Sequence, residues 1–280
     1  MDLRRMKTIF IYVLIVLNVI FVMVLYNAKN YEAEEKRSMT ESVSTLLAQN
    51  MIYLPEKIDI PVSPEIYNFY LEKMFGADSD LARNFLGADF IETGDGAYSS
   101  ELGKLTLEGD EFKFLNGKPQ DTVTDFSEEN IEKLCRKEME RLGIFSELYA
   151  FNGLNFVDDG IRAIYTAEQE DAFFFDAYIS FDIGTQGVVA ITGRNMISRL
   201  KTVHTQTKYF NVLSILPDLI QCGELEKGVV HTIVSVTPGY YIGKTAESYR
   251  NILAIPVWQI ATDSGKILYY DARNGQLIKE

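Results

Sequence analysis

Two histidines, His204 in KTVHTQT and His231 in VVHTIV, are the whole imidazole supply of this 280-residue chain. Neither has a glutamate at HExxH spacing, so both lack the base that a zinc hydrolase sets beside its ligands. His231 lies in an alternating strand pattern and reads as a surface or rim residue. Cys135 and Cys222 stand 87 positions apart, outside any CxxC spacing. Each fits an apolar helix face as a small hydrophobe, although outside the cytosol the two could form one disulfide. GDGAYSS, residues 94–100, has two glycines of a phosphate loop without the third and without a strand-then-helix context, and reads as a hairpin turn. Asp158-Asp159 precede Gly160 in what reads as a solvated turn. With 40 acidic residues, a glycosidase-type carboxylate pair is the one catalytic arrangement that spacing does not address. The residues therefore predict a non-enzymatic chain that needs no cofactor and no metal.

Polar chemistry of another kind sits at Asn18, near the centre of an uncharged run over residues 8–26. These 19 residues, helical at about 1.5 Å per residue, match the hydrocarbon thickness of a bilayer. The exit, Val24-Leu25-Tyr26-Asn27-Ala28-Lys29, lacks a small-x-small cleavage site, so the span reads as an uncleaved anchor. An unpaired amide in hydrocarbon is costly, and a hydrogen bond between helices recovers about 0.6–2 kcal/mol. Asn18 thus reads as a partner contact within the membrane; the alternative is an amide bonded back to its own helix. Arg4, Arg5 and Lys7 against Asp2 form a basic leader, whereas Lys29, Lys36 and Arg37 are mixed with Glu32, Glu34 and Glu35. That asymmetry predicts a single-pass protein of the cell membrane, with its N-terminus cytoplasmic and the bulk of the chain extracytoplasmic. The formal charge is −13, and without the leader's +2 the remainder carries −15. Such a surface repels nucleic acid and anionic headgroups.

These residues have to be positioned by elements with recognisable patterns. Residues 27–50 carry Met39, Val43, Leu46 and Leu47 at helical spacing and read as a stalk helix. Pro55, Pro61 and Pro64 interrupt the adjoining stretch, after which a helix and several short strands recur three times. The first group has a helix near residues 65–75 and strands around Ala88–Thr93, GKLTLEG and EFKFLNG. The second has a helix at residues 127–142, with Ile131, Leu134, Cys135, Met139 and Leu142 on one face and Asp125 or Ser127 to cap it. Its strands are IRAIYTAE, FFFDAYISFDI and GVVAITG. The third begins near residues 207–223, where Pro217 kinks the helix or starts a new one, and continues with VVHTIVSV, IPVWQIA and KILYYDA. Turns are marked at Glu108-Gly109-Asp110, Asp263-Ser264-Gly265 and Asn274-Gly275. The class is α+β: a transmembrane helix, then antiparallel sheets backed by helices. The expected segments are a leader (1–7), a transmembrane helix (8–26), a stalk (27–50), a membrane-proximal α+β domain (51–122) and a C-terminal α+β domain (123–280).

Three aromatic features have two readings each. Phe173-Phe174-Phe175 fits a strand buried on both faces, or a docking patch. Trp258 alternates with Pro256 and Ile260 as a core residue, or anchors an interface. Tyr240 and Tyr241 fit a strand restarting after the bend at Pro238-Gly239, or line a groove. As candidates for partner binding outside the membrane, the sequence offers Tyr240, Tyr241 and Trp258.

TPGYYIG at residues 237–243 and IPVWQIATDSGKILYYDARNGQLI at residues 255–278 resemble the end of the YycI/YycH family of bitopic regulators, and more remotely the strand-strand ending of PepSY domains. The start is similar too, with an Asp-plus-basic leader, KTIFI and a polar residue in the span. The resemblance implies a non-enzymatic accessory of a two-component sensor histidine kinase in cell-wall homeostasis. Its anchor would pack with the kinase's transmembrane helices and its ectodomain would pair with a YycH-like sister protein. The alternative it leaves is a PepSY-like ligand-binding or protease-inhibiting module outside the membrane.

Overall fold

The computed structural model describes residues 3–55, 58, 60, 67–75, 77–157, 160–169, 172–203, 209–243 and 252–279, with backbone alone at 3–13, 27–33 and 35. In chain order the elements are α1 (Leu3–Ala48), β1 (Ile52–Tyr53), β2 (Asn68–Lys73), α2 (Asp78–Leu86), β3 (Ile91–Gly94), β4 (Ala97–Ser100), β5 (Gly103–Glu108), β6 (Glu111–Asn116), α3 (Glu128–Arg141), β7 (Tyr149–Val157), β8 (Gly160–Gln169), β9 (Ala172–Gly184), β10 (Gly187–Arg194), β11 (Ile197–Val203), α4 (Val212–Ile215), β12 (His231–Tyr241), β13 (Ile252–Leu253), β14 (Ile255–Thr262), β15 (Ile267–Asp271) and β16 (Leu277–Ile278), with 3-10 turns at Ser146–Leu148 and Leu216–Ile220. Strand outweighs helix, within an α+β class. The chain divides into two compact units: Met1–Val62 with Asn211–Ser235 and Ala261–Lys266, and Ser63–Phe210 with Val236–Ile260 and Ile267–Glu280. Strands on both sides of the expected 122/123 boundary share one sheet, because β6 pairs with β10.

The smaller unit is built on the C-terminal end of α1. Val43 and Leu47 are buried there with Ile52, Val212, Leu213, Leu216 and Leu219. Pro217 opens the 3-10 turn that follows α4, since its missing N–H and fixed φ suit a first helical turn. Asn211 caps α4 by accepting from the Leu213 N–H at 2.9 Å. Past α1, Met51 adopts φ 62° and its carbonyl accepts from the His231 N–H at 2.9 Å. β1 can then run parallel to the start of β12, Ile52 opposite His231.

The larger unit carries the path β16-β15-β14-β12-β9-β10-β6-β5-β4-β3, with β8 and β7 branching from β9. The pairings are antiparallel through β3–β6, β10 and β7–β9, whereas β12 meets β9 in parallel, Tyr240 opposite Phe174. Helices cover the sheet as their apolar stripes demand. α2 buries Leu81, Ala82, Phe85 and Leu86, with Phe85 set 5.0 Å from Phe112 and 5.2 Å from Phe114. α3 buries Ile131, Cys135 and Met139, and Asp125 accepts from the Ser127 N–H at its start. A second sheet has the order β11-β2-β13, so residues 68–73 of the expected first helix form a strand instead.

The expected bend at Pro238-Gly239 is absent, and β12 runs through it. A Cβ on Gly239 would lie 2.4 Å from the Phe175 ring; its absence lets the two strands approach. The hairpin turns at Asp95-Gly96 and Gly109-Asp110 fall where the sequence marks them, with both glycines at positive φ.

Candidate interaction surfaces

Leu14 to Tyr26 of α1 are exposed on every side, with the large apolar residues between 46% and 67% accessible. A helix apolar all round is ordinarily buried, in a protein core or in a membrane. Among the described residues no helix is long and apolar enough to cross a membrane; the side chains of Thr8 to Val13, and those of Arg4, Arg5 and Lys7 in the leader, lie outside the described set. Asn18 donates from Nδ2 to the Leu14 carbonyl at 2.9 Å. This is the alternative reading, an amide bonded back to its own helix; the bond uses one of the amide's two N–H groups.

The three candidate aromatics of the later chain are packed inside the fold: Trp258 is 1%, Tyr240 3% and Tyr241 4% exposed. Trp258 donates from Nε1 to the Phe210 carbonyl at 2.9 Å. Tyr240 stacks on Phe174 at 5.3 Å and meets Phe69 edge-on at 4.8 Å. Its hydroxyl accepts from the Tyr67 N–H and donates to the Tyr67 carbonyl. Tyr241 lies against Tyr269. Rings held this way specify the core, and none of the three offers a face to a partner. Phe174 is likewise buried, with Phe173 and Phe175 half-buried.

Among the described residues no group of three His, Cys, Asp or Glu side chains converges on one point to hold a metal ion. His231 is buried rather than at a rim, with Nε2 set 3.0 Å from the Glu226 carbonyl; His204 and Asp158-Asp159 lie outside the described residues. Both cysteines are free, and burial pushes the Cys135 thiol up to about 12. Among the described residues two acids are buried, Asp271, which pairs with Arg273, and Asp176 on β9. Asp176 is the one that ties distant stretches together. It accepts from the Ile242 and Gly243 N–H groups, each at 2.8 Å, and from Asn195 Nδ2 at 3.1 Å. Desolvation raises its carboxyl above the ordinary range, while the two N–H groups and Arg194 pull it back.

No family model and no curated protein matches this chain. Solved structures with a similar course of the chain include an uncharacterized protein from Eubacterium rectale, at 12% identity and a TM-score of 0.47 over 86% of this chain and 99% of that one. YycH from Bacillus subtilis aligns at 11% identity and 0.45 over 74% of this chain, which spans 50% of the YycH structure. The C-terminal domain of YpeB from Bacillus megaterium aligns at 8% and 0.36, over 75% of this chain and 97% of that one.

One surface has no counterpart in the sequence reading. A hollow of about 490 Å³ lies on the sheet of β11, β2 and β13, lined by Tyr70, Leu71, Glu72, Arg199, Leu200 and Lys201. Its only signal was the alternation Ser-Arg-Leu-Lys-Thr-Val at residues 198–203.

Proposed function

We propose that this chain is a membrane-anchored regulator that works through protein contacts, its first helix lying in the bilayer beside the transmembrane helices of a sensor histidine kinase. The observation that supports this reading is α1 itself, one unbroken helix from Leu3 to Ala48. Its Leu14–Tyr26 stretch is bare all round, while Val43 and Leu47 near its other end are buried in a core. A bilayer supplies the cover the bare stretch needs, and the basic flank orients it with the folded units outside the cytoplasm. The kinase, the role in cell-wall homeostasis and a YycH-like sister protein come from the resemblance of both chain ends to the YycI/YycH family. Asn18 is the polar handle: its second N–H and its carbonyl can bond across a helix pair.

Co-purification of the kinase with wild type, Asn18→Leu and a chain whose residues 8–26 are replaced by an unrelated apolar helix tests this. Asn18→Leu inserts normally and weakens association about 3- to 30-fold, the equivalent of roughly 0.6–2 kcal/mol; the helix-swapped chain loses regulation. Normal binding and regulation by the swapped chain would reduce the span to a tether.

A further inference from the structure

The geometry points to the outer edge of β11 as a docking site for an extended acidic segment of another protein, which adds to the sheet as a fourth strand. This goes beyond the reading of the anchor helix and stands without it. Among the described residues β11 pairs with β2 alone; the Ile197 N–H at its start donates to the Tyr149 hydroxyl, and beyond it the outer edge has no strand beside it. Arg199 and Lys201 on β11 are exposed, and neither makes an ion pair among the described residues. At i and i+2 they share one face and stand about 7 Å apart along the strand. Carboxylates at alternate positions of an added strand come directly opposite them, the arrangement in which cross-strand charge pairs act. Lys201 stands opposite Tyr70 and Arg199 opposite Glu72. The hollow of about 490 Å³ is thus lined by the Tyr70 ring and the two cations, with the Glu72 carboxylate beside Arg199, so Lys201 is the cation with no acid opposite it.

Charge decides the occupant. Two adjacent cations on an edge are a known defence against self-pairing, because a second copy of β11 would bring cations against cations. The same repulsion becomes attraction for a strand of opposite sign, so the edge selects as well as protects. The whole chain carries a formal −13, so an acidic strand is attracted by these two cations locally and against the chain's overall charge.

The test uses the full chain in detergent micelles and a fluorescein-labelled, end-blocked heptapeptide of alternating Glu and Val. That peptide is expected to bind, with affinity falling as salt rises. Charge reversal by Arg199→Glu with Lys201→Glu is expected to weaken it at least tenfold with the unfolding temperature unchanged. Should the reversed chain fold poorly, the Gln pair replaces it, with a loss of at least threefold expected. A peptide with Lys for Glu, and one with alternate amides N-methylated, are expected not to bind. Failure of the acidic peptide to bind, indifference to Arg199 and Lys201, or equal binding of the N-methylated peptide overturns strand addition by an acidic partner. So does concentration-dependent dimerisation that the charge reversal abolishes, since a second copy would then be the occupant.

Discussion

Asp176 shows how a single buried carboxylate can fix the end of a strand. Its two oxygens hold the Ile242 and Gly243 N–H groups, and Asn195, at φ 47°, turns its amide onto the same group. In Asp176→Asn one acceptor becomes an NH₂ facing an N–H, and a buried donor left without an acceptor costs about 1–3 kcal/mol. The pH dependence has a definite direction. The folded carboxyl lies above its ordinary 3.8, so the folded chain holds that proton more tightly than the unfolded one. This contribution is full below 3.8 and is lost as pH rises through the folded value. Thermal unfolding of wild type and Asp176→Asn side by side should show the wild-type advantage growing as pH falls into that window; a flat difference would refute the assignment. Nothing in the sequence marks Asp176, which sits in FFFDAYISFDI with Asp182, a half-buried partner of Arg162. Trp258 is the opposite case, since alternation in IPVWQIA already offered the core reading beside the interface reading that its burial overturns. Period-2 patterning reports which way a side chain points, whereas the partners of a buried charge come from residues 19 to 67 positions away.

Elements whose stability is local were legible, and those defined by distant pairing were not. α3 carries its own stripe and start signal, and the β5–β6 hairpin its own turn. By contrast β2 contains Leu-Glu-Lys, good helix formers, yet pairing with β11 on one side and β13 on the other holds it extended. β7 was missed because Asn152, Gly153 and Asn155 break its alternation; the register shift between Phe151 and Gly153 is where the first two sit. β12 was legible as a strand, but not its continuity through Pro238-Gly239. Gly239→Ala places a methyl 2.4 Å from the Phe175 ring and 2.8 Å from the Phe173 carbonyl, and Tyr269 packs against the same ring. Overpacking of this kind costs about 1–3 kcal/mol, a Tm lower by roughly 2–12 °C in a unit of this size. Gly94→Ala, with nothing within 4 Å of its Cβ, is the control and should leave Tm within about 2 °C. Equal Tm values for the two variants would show that the close approach at Gly239 carries no constraint.

For the molecule as a whole, composition and pattern reached the α+β class but not its division. The expected cut at 122/123 follows sequence order, whereas the compact units are cut by contacts, and the smaller draws on three separate stretches of chain. That discontinuity has a consequence in time. α1 is the first element synthesised, yet Leu47, fully buried in the finished fold, packs in a unit whose other helical pieces are α4 and the turn at Leu216–Ile220. At about 5–20 residues per second, some ten to thirty seconds of translation separate the two. Throughout that interval the larger unit can form much of its sheet while the stalk end of α1 stays unclothed, open to proteases and to premature partners. In a chain whose native cysteines are replaced, Leu47→Cys should react with a thiol reagent in nascent chains arrested before residue 211 emerges. It should fall silent once residue 235 is clear of the ribosome. Protection already present in the shorter chains would mean that something other than this protein shelters the helix while it waits.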